Sequence, residues 1–185
     1  MNKKYKCGLY VGRFQPLHMG HTSIMMRMFR ECDMVIIAIG SAQQCGTKKN
    51  PFSYALRANM IRALFRETFP RANNVYIIPM DDREHPSNDP SWGSYLISRT
   101  KVYTGLVPDV IYEGEEAERN NWYDNLDIPV ERVSREAITT TGTRVRECLL
   151  NDEHANFNFH VPYPVIPFYD QLRKELLKCY NLPET

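Results

Sequence analysis

Two histidines three residues apart are the side chains best placed for chemistry in this chain of 185 residues. His18 and His21 lie in the stretch Gly-Arg-Phe-Gln-Pro-Leu-His-Met-Gly-His, residues 12–21, directly after an apolar segment. At helical spacing their imidazoles share one face, and Gly20 lets another group approach the backbone closely. A helix start also offers unpaired N–H groups and the positive end of a dipole, which favour phosphate. Together with Arg13, the pair is therefore interpreted as an anion clamp.

The two histidines allow other interpretations. Zinc proteases use His-Glu-x-x-His, in which the histidines are four residues apart and the glutamate is the general base. The three-residue step and the missing glutamate disfavour that class here. A metal site completed by a distant carboxylate stays open, and so does a structural role in which the histidines only cap a helix.

The histidine block is similar to the HxGH signature of the nucleotidyltransferase superfamily, which includes adenylyltransferases, cytidylyltransferases and class I aminoacyl-tRNA synthetases. With Gly-Arg-Phe-Gln-Pro before it, the block resembles the nicotinamide-mononucleotide adenylyltransferases of archaeal type. The resemblance covers about residues 8–150. It implies catalytic roles for Arg13, His18 and His21, and contacts with the ATP phosphates from Gly12, Phe14 and Gly20.

A second polar block, residues 40–52, follows the next apolar run and begins Gly-Ser-Ala-Gln. Taken alone it is an ordinary surface loop, although backbone N–H groups and Gln43 could lie near a sugar or a phosphate. The block is similar to a second block of the same family, in which Gly-Ser-Ala-Gln is followed by Asn-Pro-Phe and then by an arginine. The resemblance implies that Arg57 helps to hold the ATP phosphates and that Gln43 contacts the mononucleotide. Cys45 and Gly46 depart from the Ser-His pair that is frequent there.

A third block, residues 139–146, reads Thr-Thr-Thr-Gly-Thr-Arg-Val-Arg. Hydroxyl groups and a glycine at a helix start can bind phosphate oxygens, and Arg146 can reach a triphosphate with forked donors. From the residues alone an ordinary capped helix explains the block equally well. The block resembles the second signature of the superfamily, Ser/Thr-Gly-Thr-x-Ile/Val-Arg. That resemblance implies a catalytic role for Arg146 and phosphate contacts from Thr141, Gly142 and Thr143.

A tryptophan after the third apolar run is a candidate for the pyridine end of the substrate. Family members carry a tryptophan there whose ring stacks on the nicotinamide, and Trp92 and Asp81 match in placement. The resemblance therefore implies that both contact nicotinamide mononucleotide. The alternative for Trp92 is packing in the core.

Alternating strand and helix signals indicate the elements that must position these blocks. Strands are predicted at residues 5–11, 34–39, 74–79, 109–112 and 128–133, and helices at 19–32, 53–67, 92–103, 141–150 and 167–180. Ser53 is a plausible N-cap of the second helix, and Pro167 fits the first turn of the last one. The alternation predicts an α/β fold, a Rossmann-like doubly wound parallel sheet of about five strands with flanking helices. Ligands bind such sheets at the carboxyl ends of the strands, where the three blocks lie.

The chain length predicts one hydrophobic core. We expect a Rossmann-like nucleotidyltransferase domain over residues 1–150 and a C-terminal helical extension, 151–185, packed on the same domain. The sequence leaves the role of the acidic segment 113–125 open between a cap over the site and a subunit contact.

The reaction implied by the resemblance joins ATP and nicotinamide mononucleotide to give NAD and pyrophosphate. The sequence contains no evident carboxylate cage for a metal, so we expect Mg²⁺ to arrive on the ATP phosphates. One alternative is adenylyl or cytidylyl transfer to another phosphate acceptor, and another is a pyridine-nucleotide sensor without catalysis. Acceptance of nicotinate mononucleotide is left open by the sequence.

Composition and charge bear on location and partners. The formal net charge is +1, which gives no general attraction to nucleic acid or to anionic membranes, and no apolar run reaches the roughly 20 residues that a membrane helix needs. Five scattered cysteines without a Cys-x-x-Cys pair indicate reduced thiols, hence a cytoplasmic protein. The resemblance to the family implies a homo-oligomer.

Overall fold

The centre of the molecule is a parallel sheet. A computed structural model of the chain describes residues 3–70, 72–83, 91–115, 123–134 and 139–183. Within these ranges five parallel strands form one sheet in the order β3-β2-β1-β4-β5. Their bounds are Tyr5–Gly12 (β1), Cys32–Ile39 (β2), Val75–Pro79 (β3), Val110–Gly114 (β4) and Val130–Val133 (β5). The predicted fold class is therefore confirmed.

The central strands are apolar on both faces because helices cover both sides of the sheet. In β2, Val35, Ile37 and Ile39 belong to one buried cluster, whereas Ile36 and Ala38 belong to a second cluster on the opposite face. This alternation explains why the strand is an unbroken apolar run in the sequence.

The helices begin and end close to the predicted positions, with additions near the C-terminus. Their bounds are Met19–Glu31 (α1), Tyr54–Thr68 (α2), Ser91–Thr104 (α3), Gly142–Leu150 (α4), His154–His160 (α5) and Tyr169–Cys179 (α6). Ser53 caps α2 as predicted, because its side chain accepts a hydrogen bond from the N–H of Leu56. Helix α5 was not predicted. Pro167 lies in a 3₁₀ helix, Tyr163–Phe168, that leads into α6, and not in the first turn of α6 itself.

The strand order places a crevice at the carboxyl ends of β1 and β4. The chain runs outward from β1 to β2 and β3, and then returns to the other side of β1 for β4. Residues of α1, α2 and α4 share the first buried cluster, and Leu96 of α3 belongs to the second. Open α/β sheets bind ligands where the strand order reverses in this way.

The C-terminal helices complete the first cluster. Phe157, Val161, Val165, Leu172 and Leu176 are buried in the same cluster as the strands. The division of the chain at residue 150 into a domain and an extension stays a prediction. Within the described residues, no helix combines the length and the apolar character needed to cross a bilayer. Much of the acidic segment, residues 116–122, lies outside the described residues.

Candidate active site

The two predicted histidines lie at the start of α1 with their rings against each other. His18 is the N-cap residue in an extended conformation and is only 4% exposed. The centroids of the His18 and His21 rings are 3.7 Å apart, with an angle of 32° between the ring planes. The pair thus presents two adjacent imidazoles at a helix N-terminus, as the spacing predicted.

Phe14 packs against the ring of His21. Its ring contacts the ring of His21 edge to face, with the centroids 4.8 Å apart, and Phe14 itself is buried. The Phe14 backbone takes a left-handed conformation, φ 51°, which turns the ring back over Gly12. A Cβ atom at Gly12 would lie 2.8 Å from that ring, so a side chain at position 12 would displace the support of His21.

Gln15 ties the loop after β1 to the loop after β2. Its side-chain Nε2 donates to the carbonyl of Phe52 at 3.1 Å, and its Oε1 accepts from the N–H of Phe52 at 2.9 Å. This reciprocal pair is buried. Because Phe52 directly precedes Ser53, the N-cap of α2, the amide of Gln15 fixes the first loop against the entry to that helix.

The first turn of α4 reaches the same loop. The guanidinium of Arg146 donates to the carbonyl of Gln15 at 2.6 Å and to Thr143 Oγ1 at 3.2 Å. A Cβ atom at Gly142 would lie 3.1 Å from the Gln15 carbonyl oxygen, so glycine allows the close approach of the loop. Thr141 is the N-cap of α4 and accepts from the N–H of Arg144. The third block is therefore held against the first.

One cavity of about 200 Å³ joins the first and third blocks. Its lining residues are Arg13, Phe14, Gln15, His18, His21, Gly142, Thr143 and Arg146. Burial lowers the pKa of Arg146, which nevertheless stays protonated near neutral pH because an arginine titrates so high. The cavity thus combines two imidazoles, two guanidinium groups and the amino-terminal ends of two helices, a set suited to a polyphosphate.

Arg57 differs from the expectation. It was predicted to hold phosphates, but its side chain is 0% exposed and does not line the cavity. Its guanidinium donates to four backbone carbonyls, those of Arg13, Gly40, Ser41 and Ser53. Burial lowers the pKa of Arg57 to about 10, so the group is still charged at neutral pH. Arg57 therefore joins the loops after β1 and β2 from behind, and its donors are used before any phosphate is bound.

A second group of polar contacts joins the loops after β2 and β3. Asp82 accepts from Ser41 Oγ and from Gln44 Nε2, both at 3.0 Å. Gln43 Oε1 accepts from the N–H of Asp82 at 3.1 Å. Of the two adjacent aspartates, Asp82 thus makes the contacts that connect the loops, whereas the prediction named Asp81, which is exposed.

Trp92, Gln43 and Asp81 are not part of the cavity lined by the histidines. Trp92 lies in the first turn of α3 and is half-buried against the second apolar cluster. Gly20 is buried within α1. The roles predicted for Gln43, Asp81 and Trp92 toward a mononucleotide stay predictions.

One residue of this region, Gln15, was missed in the sequence, and Asp82 was not chosen over its neighbour Asp81. Gln15 stands inside the Gly-Arg-Phe-Gln-Pro stretch that was noticed as a block, but an amide that pairs with a distant backbone leaves no periodic signal. Asp82 is adjacent to the residue that was named. For metal binding, no three His, Cys, Asp or Glu side chains are grouped as a site would require within the described part of the chain.

The sequence matches one protein family over most of its length. Residues 9–147 match the model of the cytidylyltransferase-like family. This range contains all three blocks and ends one residue after Arg146.

Individual relatives match beyond that range. A nicotinamide-nucleotide adenylyltransferase of Thermoplasma volcanium is 35% identical over 161 residues, which cover 84% of this chain and 81% of the relative. One of Saccharolobus solfataricus is 32% identical over 169 residues, covering 90% and 91% of the two chains.

Among solved structures, a bifunctional NMN adenylyltransferase/ADP ribose pyrophosphatase of Francisella tularensis, complexed with AMP and a Mn ion, superimposes with a TM-score of 0.70 at 21% identity. The match covers 96% of this chain and 53% of that one, so this chain spans about half its length. At this identity the likeness shows the fold.

Proposed function

This chain belongs to the cytidylyltransferase-like family, alongside the archaeal nicotinamide-nucleotide adenylyltransferases, and from that premise we propose that it joins ATP and nicotinamide mononucleotide to give NAD and pyrophosphate. The observation that carries the proposal is the single cavity in which His18, His21, Arg13 and Arg146 meet. Two distant parts of the sequence form it, and each matches a signature of nucleotidyl transfer.

The reaction needs charge stabilisation more than acid–base chemistry. A phosphate oxygen of the mononucleotide forms a bond to the α-phosphorus of ATP, and the bond from that phosphorus to the bridging oxygen of the β-phosphate breaks. The nucleophile is already an anion, so no side chain has to remove its proton. The barrier comes from bringing an anion to a polyanion, and positioned cations and N–H donors lower it.

The residues of the cavity suit this task. Arg146 and Arg13 supply permanent positive charge, and the two imidazoles supply N–H donors where negative charge develops. Gly142 and Thr143 open α4, whose first backbone N–H groups favour phosphate oxygens. No side chain of this set has to form a covalent bond to substrate.

We further propose that the substrate is ATP carrying Mg²⁺. The described residues contain no cluster of carboxylates to hold a resident metal, and Mg²⁺ keeps several water ligands when it is bound mainly through phosphates. The ion would neutralise part of the charge on the leaving pyrophosphate.

We propose that the pyridine end of the acceptor binds at the loops after β2 and β3. Gln43, Trp92 and the aspartates at 81 and 82 lie on those loops and at the start of α3. Because Asp82 fixes Gln43 and Gln44, we propose that it shapes this subsite, with Trp92 offering its ring for stacking.

Turnover tests the proposal directly. The protein is mixed with ATP, Mg²⁺ and one acceptor at a time, namely nicotinamide mononucleotide, nicotinate mononucleotide, flavin mononucleotide or phosphopantetheine, and release of pyrophosphate is measured. We expect the fastest release with a pyridine mononucleotide. Faster release with flavin mononucleotide or phosphopantetheine would assign the chain to another acceptor, and pyridine-nucleotide binding without any release would indicate a sensor.

We also propose a homo-oligomer in the cytoplasm, with no nucleic-acid or membrane partner. All five cysteines are free thiols, as a reducing compartment favours. Val102 and Val107, at the end of α3 and just after it, are apolar and exposed by more than half, which suits a contact between copies. Light scattering of the purified protein measures the mass in solution, and a monomer at micromolar concentration would contradict the assembly.

A further inference from the structure

The side chain of His160, outside the region that matches the family, contacts the segment that leads into α4. His160 lies at the end of α5, thirteen residues beyond the matched range. Its Nδ1 is 3.0 Å from Oγ1 of Thr140, and Thr140 directly precedes Thr141 and Gly142 at the start of α4. The C-terminal segment therefore contacts the side chain of Thr140, which directly precedes the backbone that is expected to bind phosphate.

Thr140 directly precedes the residues that begin α4, so a shift of Thr140 would move the start of that helix. It is 7% exposed, and the next two residues are the N-cap of α4 and the glycine against Gln15. The N-cap bond of Thr141 fixes the helix side of this turn. The bond between Thr140 and His160 fixes the other side, so the two bonds together set the direction of the first N–H groups of α4.

The helix that carries His160 is anchored in the core. Phe157, one turn earlier on α5, is fully buried, and Val161 directly after the helix is 3% exposed. Phe157 also packs edge to face on Tyr169, with the ring centroids 5.0 Å apart. A side chain carried by such an element keeps its place better than one on a free loop.

Burial and the nearby guanidinium of Arg144 favour the neutral form of His160. Arg144 on α4 faces it, and Arg144 is itself paired with Glu147 at 3.3 Å and with Glu153 at 3.7 Å. Burial and the charge of Arg144 lower the pKa of His160. A neutral imidazole can share one proton with a threonine hydroxyl, in either direction.

We propose that His160 is a positioning residue, which acts through Thr140 to hold the start of α4 in the geometry that binds the ATP phosphates. This inference rests on the proposed function. It adds to the site a residue of the C-terminal segment that does not touch the substrate.

The test is a comparison of His160→Leu with His160→Asn. Leucine removes the hydrogen bond, and asparagine places a polar atom near the position of Nδ1. We expect His160→Leu to raise the KM for ATP by roughly three- to tenfold, the range of one net hydrogen bond, while the KM for the mononucleotide changes by less than about twofold. His160→Asn should recover most of the lost affinity for ATP.

Thr140 supplies the second arm. Thr140→Val removes the hydroxyl at nearly constant volume and should raise the KM for ATP as His160→Leu does. If the two side chains act through one bond, the double variant adds little to either single one. Losses that multiply in the double variant would overturn the proposal, because the two residues would then act independently.

His154→Leu is the matched control, since it makes the same substitution on the same helix at an exposed histidine whose ring faces Tyr169. Its KM values should equal those of the unmodified protein. Equal KM values in His160→Leu, or a similar rise for both substrates together with a lower Tm, would reduce His160 to a structural role. If the unmodified protein shows no turnover with either pyridine mononucleotide, the proposed function fails first. Thermal shift with ATP alone then reports whether His160→Leu still weakens nucleotide binding.

Discussion

At the scale of single residues, the histidine pair gives the sharpest prediction. His21→Ala should lower kcat by roughly 10²–10³, the usual loss when one donor to a developing charge is removed. Steady-state turnover with ATP and nicotinamide mononucleotide measures the change. Because Phe14 packs on the His21 ring, Tm must be compared in parallel. A loss below about tenfold in a folded variant would remove His21 from the mechanism.

Trp92→Ala separates the two substrates. If the indole stacks on the pyridine ring, the KM for the mononucleotide should rise by about two- to tenfold, since such stacking contributes roughly 0.5–1.5 kcal/mol, and the KM for ATP should change little. The opposite pattern would place Trp92 on the adenine side. A lower Tm with both KM values unchanged would assign it to core packing, which its contacts with the second cluster also allow.

The structural role of Arg57 could not be predicted from the sequence. Its type and its place after the Asn-Pro-Phe stretch were evident, but the direction of its side chain depends on where two loops cross in three dimensions. Four carbonyls meet behind the loop after β1 and surround the guanidinium. The sequence alone does not distinguish an arginine that is buried among backbone carbonyls from an arginine at the surface that binds phosphate.

At the scale of elements, the contact between the start of α4 and the loop after β1 carries a prediction. Gly142→Ala should favour the helix by its propensity, yet the new methyl group must push the Gln15 carbonyl away from 3.1 Å. We expect kcat/KM to fall by about tenfold while Tm changes by only a few degrees, because misplaced catalytic groups cost far more in rate than in stability. An unchanged kcat/KM would show that the two blocks need not touch.

Charged groups around Glu131 of β5 should make the stability of the fold depend on pH. Glu131 of β5 has its pKa lowered by hydrogen bonds from Lys4 and Tyr5, and the charge of Arg27 on α1 acts in the same direction. A lowered carboxyl pKa stabilises the fold above the unfolded value of about 4.3, and this contribution disappears as pH falls through the folded pKa. The Tm gap between the unmodified protein and Glu131→Gln should therefore be largest near pH 7 and close towards pH 3. A gap independent of pH would contradict this.

Elements with a repeating apolar face could be predicted from the sequence, whereas an element without one could not. The strands and the helices α1, α2 and α4 were predictable because an apolar face repeats along each. Helix α5, His-Ala-Asn-Phe-Asn-Phe-His, has no such face, and only Phe157 is buried in it. It forms because that one ring and Val161 enter the core, a tertiary effect that overrides weak local propensity.

At the scale of the whole molecule, the C-terminal segment is expected to be required for folding. Removal of residues 152–185 would expose the buried residues Val145, Cys148 and Leu149, and the first cluster would lose its partners on α6. We expect that truncated chain to be unfolded or aggregated by circular dichroism and gel filtration. A chain that ends after Tyr180 keeps α6 and should fold. A folded, monodisperse chain of residues 1–151 would show that the extension is a separate unit.

Much of the site could be anticipated at this scale because sheet topology places it. A parallel sheet that reverses its order at β1 brings the loop after β1 and the start of α4 to the same edge, and the first and third blocks meet there. The supporting contacts could not be anticipated. Gln15 with Phe52 and Asp82 with Ser41 each join residues about forty positions apart, and only the folded chain brings such side chains within hydrogen-bonding distance.

The packing of Phe14 over Gly12 limits how this sequence can diverge. Any side chain at position 12 would collide with the Phe14 ring. A smaller residue at position 14 would relieve the collision, but it would also remove the ring that packs against His21. Positions 12, 14 and 21 therefore have to change together, through intermediates that each lose part of the site. Homologues that keep the activity should for this reason vary freely at exposed positions such as Met19 while holding these three positions fixed as a set.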